Sequence, residues 1–549
     1  MAKNTTEKTQ AEIYREERKQ RIAKANKKNA KGKRTSSGIG SKIVAIILCV
    51  AIVLGIGYYI VALTGVVNKA TTAVKVGNAK ISTAEYNFYY NMVYNNVSQM
   101  AQMYSQYGMD MGFDTNTSPD EQDFKKDDGT TVTYAEYFRT SAIDMAQNVE
   151  ATCAEAEKEG FTLDEDAKAE IEETMQSFKD NAAQSGFSLN SYLKAVYGSG
   201  LTEKTFRKLI EKQYISQEFA EKKQADLKAA VKDEDIAKEY NDNKEKYDYI
   251  DICYYVFTAK TITKGDKDTD DTVKAKQEKE NAKLYKDVQG IAEKATDVKA
   301  LEKAVKEYTK SDKKEDVTTT SKHTTYEAIK NSMNEDVAKA VYDSKTVANK
   351  AYSFEDGNKA YVVIVLKTSY TGYSVDVRHC LVKFDAADED NVTDEEKAAA
   401  KKKAEDLLAE WKAGKATEET FKTMASENSD DEGSIENGGL YEDIRYSSSY
   451  VENFLDWAMD PARKDGETGI VETEYGYHIM YFVGADKDDL DWKVTIRDAK
   501  GSEAYTEYSE GVTANEAYAV ESSDSLTNRV MKDFCKKIKR SLASSNYSR

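Results

Sequence analysis

Proline, histidine and cysteine are scarce in this chain: 549 residues contain two prolines (Pro119 and Pro461), three histidines (His323, His379 and His478) and five cysteines. With two prolines no stretch reads as a Pro-rich spacer. The cysteines (Cys49, Cys153, Cys253, Cys380 and Cys535) stand singly, without a CxxC pair or zinc spacing, so a zinc site is not expected and buried free thiols are. Acidic runs such as Asp266–Asp271 lack the glycine and terminal glutamate of a calcium loop. No metal and no cofactor are therefore expected. Basic charge is also missing where a nucleic-acid partner would need it. The net charge is −18, yet Met1–Lys42 alone carries +9, leaving −27 for the rest. An acidic bulk of that size excludes nucleic acid as a partner.

Charge is absent altogether between Lys42 and Lys69, where Ile43–Val67 runs 25 residues. That length spans roughly 30 Å of hydrocarbon. The apolar run exceeds a cleaved signal's core and lacks a small-x-small site, which predicts an uncleaved transmembrane signal anchor. The basic flank precedes it, so the N-terminus is expected in the cytoplasm and the bulk outside.

Beyond the anchor the chain reads first as helical. Thr72–Ile81 resembles a strand with a Gly-Asn turn, and Ser82 or Thr83 can cap a helix that starts there. Tyr86, Tyr90, Val93, Val97, Met100, Tyr104 and Tyr107 then recur at fours and threes, one face of a long helix. That face either packs on other helices or offers an adaptable surface to unfolded clients. Helices are predicted over Tyr134–Lys158, Leu163–Ala183, Thr202 to about Leu227, and Asp233–Tyr240.

From Tyr247 the period shortens to two. Tyr247–Phe257 is a predicted strand, followed by a charged loop, Lys/Ala/Glu helices and a closing strand, Ala360–Lys367. The order recurs: Val377–Phe384 is a strand, a loop with seven acidic residues between Lys383 and Lys397 comes next, then a helix ended by Gly414 and a strand at YGYHIMYFV. Two tandem modules are inferred. Aligning Cys253 with Cys380 sets Ile252 in the place of His379, and Tyr361 takes that of His478. The first module is thus expected to lack the site. Because adjacent strand residues face opposite ways, His379 cannot activate Cys380 as a nucleophile. His323 has no partner pattern and is expected at the surface. Trp492–Ile496 reads as a further strand, and the final helix repeats Leu526, Val530, Phe534, Ile538 and Leu542 at fours.

RHCLVKF, FKTMASENSDD, Gly438-Gly439, the aromatic pair Tyr450 and Phe454, GET and TEYGYHIM, in that order over about 110 residues, together resemble the parvulin (PpiC-type) peptidyl-prolyl isomerases. The helical part ending in DEDIAKEYNDNKEKY looks like the N-terminal domain of the SurA and PrsA type extracytoplasmic foldases. The resemblance implies an α+β protein: basic cytoplasmic tail 1–42, transmembrane anchor 43–67, helical SurA N-like chaperone domain 75–245, degenerate parvulin-like module 246–370, parvulin module 371–488, and a C-terminal strand and helix, 489–549, packing back on the helical domain. It implies His379, His478 and Asp431 as the catalytic centre with Tyr475 supplying a hydroxyl, and Tyr450 and Phe454 as the pocket for a proline ring.

The departures from the family are GGLYEDI in place of GGDLG and extra residues in DPARKDGET. The acidic loop disfavours phosphorylated clients. The expected activity is peptidyl-prolyl isomerisation on newly secreted, unfolded proteins with X-Pro bonds, at the outer face of a Gram-positive plasma membrane. A homodimer through the Tyr-rich helix is a further partner reading. The alternatives are a holdase that only grips extended chains and a structural envelope protein.

Overall fold

The computed structural model describes residues 65–311, 317–385 and 391–546, and within these the chain divides into two compact units, 231–499 and the remainder. The uncharged run Ile43–Val67, expected to span a membrane, lies, up to residue 64, outside the described residues. Among the described residues no helix is long and apolar enough to cross a membrane.

The unit outside 231–499 is mainly helical. A hairpin of β1 (Thr72–Val76) and β2 (Ala79–Ser82) leads into helix α1 (Thr83–Gln106). Ser82 Oγ accepts from the Glu85 N–H while Glu85 returns a carboxylate oxygen to the Ser82 N–H at 2.8 Å. Such a reciprocal cap is worth on the order of 1 kcal/mol. A short hairpin, β3 (Asp123–Lys125) and β4 (Thr131–Thr133), precedes α2 (Tyr134–Lys158), α3 (Glu165–Gln184), α4 (Leu189–Tyr197) and α5 (Glu203–Ala230). Helix α4 carries no long periodic stripe and was not anticipated.

The first half of α1 buries Tyr86, Phe88, Tyr89, Tyr90 and Val93, whereas Met100, Met103 and Tyr107 at its far end are exposed. The packing reading of the Tyr/Met stripe thus holds for the first half of the helix. The chain's last strand, Val520–Ser522, pairs with β1, and the last helix, Asp524–Asn546, sets Phe534 against Tyr90 and Tyr94 at 5.1 and 4.8 Å.

Unit 231–499 opens with α6 (Asp233–Asp242) and holds two four-stranded antiparallel sheets. In the first, β5 (Tyr249–Thr258) is followed by α7 (Asp270–Lys294), α8 (Val298–Thr309), β6 (Thr319–Thr324), α9 (Tyr326–Ser332), α10 (Glu335–Tyr342), β7 (Ala351–Asp356) and β8 (Lys359–Tyr370). The second has β9 (Tyr373–Lys383), α11 (Asp394–Ala413), α12 (Glu418–Asn428), β10 (Leu440–Ile444), α13 (Glu452–Ala458), β11 (Thr468–Thr473) and β12 (Gly476–Leu490). Strand orders are β6-β5-β8-β7 and β10-β9-β12-β11, the same topology twice. In each, one sheet face carries the two long helices and the other a short helical segment.

Register refines the comparison of the two sheets. Asp356 pairs with Lys359 across one tight turn and Thr473 with Gly476 across the other. Counted from there, Tyr361 falls at the position of His478. The residue opposite Val363 is Tyr254, as His379 is opposite Met480. Tyr254, not Ile252, is therefore the register counterpart of His379. Pairing is regular from each turn past each cysteine, so Cys253, opposite Ile364, and Cys380, opposite Ile479, are not register equivalents.

Two other expectations are corrected. Trp492–Ile496 is not a strand but the first turns of helix α14 (Asp491–Ala514). Its apolar run is short, and Trp492 and Ile496, four apart, share a helical face against Ile236, with Trp492 stacked on Tyr240 at 4.1 Å. Helix α6 belongs with 231–499, not with the preceding helical segment.

Candidate active site

Strand β9 alternates its side chains across the sheet. Cys380 and Val382 join the core under α11 and α12, while Val375, Val377 and His379 face α13. Cys380 is thus separated from His379 by the sheet, and burial pushes its thiol up to about 12. Cys153, Cys253, Cys380 and Cys535 are all free.

Pairing sets His379 opposite Met480 and His478 opposite Leu381, so the histidines are diagonal neighbours on one face. Their rings lie nearly parallel, 5.2 Å between centres, with the two Nδ1 atoms 3.1 Å apart. Both are buried.

Asp431 reaches this pair from the loop after α12. That loop is laced to β9 beyond the end of β10: the Asp430 N–H donates to Leu381 O at 2.8 Å, Ser429 Oγ accepts from the Leu381 N–H at 3.1 Å, and Asp430 accepts from the Lys383 N–H at 3.0 Å. Asp431 Oδ2 stands 2.9 Å from His379 Nε2. The same oxygen accepts from Ser434 Oγ and from the Tyr441 hydroxyl at 3.0 Å. The bond to His379, helped by the two hydroxyls, holds the Asp431 carboxyl well below the usual carboxylate range.

On the far side, Thr473 Oγ1 is 2.9 Å from His478 Nε2 and accepts from the Tyr475 N–H at 3.2 Å. The donors then run in series for neutral rings. Thr473 donates to His478 Nε2, His478 Nδ1–H donates to His379 Nδ1, and His379 Nε2–H donates to Asp431.

The expected Tyr475 hydroxyl is not part of this chain. Its side chain is 56% exposed in the β11–β12 turn, and only its backbone N–H joins the network. Thr473, Ser434 and Tyr441 occupy the polar positions instead. Tyr441 comes from the departing GGLYEDI segment, and its ring also stacks on His379 at 4.8 Å. A signal for it was present in that departure. For Ser434 and Thr473 there was none, since isolated hydroxyl residues are common in loops and strand ends.

Phe454 and Tyr450 do meet at the site. The Phe454 ring lies edge-on to both histidines, at 5.5 Å from each, and Tyr450 is 5.3 Å from both Phe454 and Tyr441. Three aromatic rings and the histidine pair thus form one packed cluster with the Asp431 carboxylate at its edge.

The turn before β10 is built for close approach. Gly438 and Gly439 both have φ of +71°, Gly439 O accepts from the His379 N–H at 2.8 Å, and the buried Arg378 donates to the carbonyls of Asn437 and Gly438 while pairing with Glu418 at 3.0 Å.

Residues 361–484 match the family described as the PPIC-type PPIase domain, and residues 30–220 match the SurA-like N-terminal domain. The chain carries a parvulin-type isomerase domain. That domain's match begins in β8 of the first sheet and ends in β12, so the histidine pair, Asp431, Tyr450 and Phe454 all fall within it.

A foldase protein PrsA of Clostridium botulinum is 37% identical over 114 residues, 19% of this chain and 33% of that protein, so the match spans about a third of the curated relative. Among solved structures, PrsA from Bacillus subtilis is 15% identical, covering 75% of this chain and 93% of that one, with a TM-score of 0.23. Foldase protein PrsA from Streptococcus pneumoniae is 11% identical, covering 74% and 98%, with a TM-score of 0.24.

The parvulin-type domain has a pH signature of its own. Burial, and then the neighbouring His379, lower His478 from 6.5 to about 3. A group whose folded pKa is depressed contributes stability above its unfolded pKa and loses it as pH falls. The domain is therefore expected to lose melting temperature between pH 6.5 and 3. His478→Gln, which keeps a neutral hydrogen-bonding group, should flatten that slope in thermal denaturation followed by circular dichroism. An unchanged slope would show that His478 is not the titrating group.

Proposed function

We propose that this chain is a membrane-anchored foldase whose parvulin-type domain catalyses cis-trans isomerisation of X-Pro bonds in unfolded proteins on the outer side of a plasma membrane. The single observation that carries the catalytic reading is the Phe454 ring set edge-on to both buried histidines beside Asp431.

Isomerisation breaks no covalent bond; it must lower a rotation barrier of about 18–20 kcal/mol that comes from amide resonance. A recess that grips the proline ring against Phe454, Tyr450 and Tyr441 and removes water from the amide favours the twisted geometry over the planar one. Asp431 Oδ2 accepts from three donors, His379, Ser434 and Tyr441. Its role is to orient the polar edge of the recess, and no nucleophile is needed. Neither a metal nor a cofactor enters this chemistry.

The first sheet, with Tyr254 and Tyr361 where the histidines would be, is read as a silent copy. The anchor reading rests on the uncharged Ile43–Val67 run behind its basic flank. The holdase reading also has an observation in its favour: the exposed Met100, Met103, Tyr107 and Met109 around the end of α1 form a flexible apolar surface of the type that accepts varied chains. The two activities are separable.

In a protease-coupled assay with a prolyl peptide, the full chain should accelerate exchange. His379→Ala should reduce kcat/KM at least about tenfold, equivalent to some 1.4 kcal/mol of barrier, without loss of aggregation suppression for an unfolded client. A wild-type chain that suppresses aggregation but gives no acceleration would leave the holdase alone standing.

A further inference from the structure

The silent sheet has contacts that its lost histidines do not explain. Its edge strand β6 meets the segment 446–456 of the parvulin-type domain, the stretch that carries both Tyr450 and Phe454. At one end of that segment His323 stacks on Tyr446, rings 3.7 Å apart and 17° from parallel. At the other end Lys322 Nζ pairs with Asp456 at 2.6 Å, and His323 Nε2 lies 3.7 Å from the same carboxylate. Asp456 stands two residues beyond Phe454 on the one short helix α13.

His323 is itself held from behind. Its N–H donates to Asp251 Oδ1 at 2.8 Å. Its Nδ1 lies 2.6 Å from the Tyr370 hydroxyl, which donates to the same Asp251 oxygen at 2.6 Å. The residue expected at the surface is thus a half-buried member of a packed cluster, in a left-handed backbone conformation with φ of 49°.

The remaining contacts strengthen the Tyr446 end. Tyr249 and Tyr370 of the first sheet place their rings at 5.3 and 6.0 Å from Tyr446, and Tyr249 donates to Asp491 at 3.2 Å. Arg445 donates to Asp491 at 3.1 Å. Gly372 leaves the room for this: a Cβ there would lie 2.2 Å from the Asp491 carboxylate and 2.9 Å from the Tyr446 ring.

We infer that the first, histidine-less sheet positions the proline pocket of the second, acting through His323 and Lys322 on the two ends of segment 446–456. The inference rests on reading that recess as an isomerase site. Ordinary packing of two modules would touch any part of the second sheet's surface; here both anchors bracket the pocket-bearing segment, whose one helix has seven residues. His323 and Lys322 are positioning residues and touch no substrate. Of the two, His323 carries more, since its stack is shielded, whereas the Lys322–Asp456 pair is partly exposed and weak by itself.

The test uses the full chain. His323→Ala is expected to raise KM for an X-Pro peptide about fivefold while kcat stays within about twofold, because a slack pocket loses binding before it loses the polar edge at Asp431. His323→Phe, which keeps a ring on Tyr446, should restore most of the loss; a merely destabilising change would not be rescued this way. Asp456→Ala, at a more exposed position, should move KM in the same direction by about twofold. KM values within experimental error of wild type for both alanine variants would overturn the inference.

Hydrogen exchange supplies the reading that is independent of turnover. In His323→Ala the amides of 446–456 should lose protection while those of β9 and β12 keep it. If the wild-type chain proves to have no isomerase activity, the proposed function falls. The positioning inference is then decided by exchange alone: lost protection over 446–456 sustains it and unchanged protection overturns it.

Discussion

Phe454→Ala is expected to reduce kcat/KM for X-Pro isomerisation on the order of 100-fold, since each methylene lost from an apolar recess already costs about 1–3 kcal/mol in discrimination. The ring is 2% exposed and touches both histidines, Tyr441 and Tyr450. Its removal leaves a cavity where the proline ring would seat and frees His379 and His478 of their edge contact. The same cavity should cost about 3–5 kcal/mol of stability. Activity is therefore to be measured well below the variant's own melting temperature, with near-native circular dichroism as the control. Phe454→Leu, which keeps most of the volume, should retain much of both. A Phe454→Ala chain that stays folded and turns over at the wild-type rate would remove the recess from the reaction.

Gly439→Ala should be nearly as severe by a different route. At φ of +71° a side chain is already disfavoured, and the added Cβ would stand 2.0 Å from the His379 carbonyl oxygen and 3.0 Å from Ala425 Cβ. Neither neighbour can yield: the carbonyl belongs to β9, whose His379 N–H donates to Gly439 O, and Ala425 is fully buried on α12. Strand β10 would have to part from β9 beside the histidine, at a cost on the order of 3 kcal/mol. Urea denaturation should show that loss, and isomerase activity should fall with it. Gly438→Ala should be costly too, since at the same φ of +71° its added Cβ would stand 2.1 Å from Lys422 Cγ and 3.2 Å from the Lys422 Cα on α12. Equal stability of Gly439→Ala and wild type would mean that the turn does not hold His379 as described.

Much of the architecture was legible because periodicity reports the face that is buried. The spacing through Phe138, Ala142 and Val149 marks Tyr134–Lys158, and the helix occupies those residues. The alternation in RHCLVKF marks β9 and the opposed faces of His379 and Cys380. Short apolar pieces were not legible in the same way. Trp492–Ile496 fits a strand as well as a helical turn, and its contact with Ile236 on α6 selects the helix. His323 had no neighbour in sequence to suggest a role, since Asp251, Tyr370, Tyr446 and Asp456 come from four other segments.

Composition and pattern by themselves determined that this is an acidic α+β chain with an uncharged run near its start, and that the scarce His379 and His478 sit on strands; the resemblance to the parvulins added Asp431 and the aromatic pair between them. Only the tertiary structure decided which hydroxyls complete the centre. Strand register makes His379 and His478 diagonal neighbours, the turn geometry points Tyr475 to solvent and Thr473 to His478, and the altered GGLYEDI segment folds Tyr441 back onto Asp431. The reason is physical. Local sequence sets which face a side chain takes, but the contact it makes depends on the register and loop paths of segments up to a hundred residues away, which no local pattern encodes.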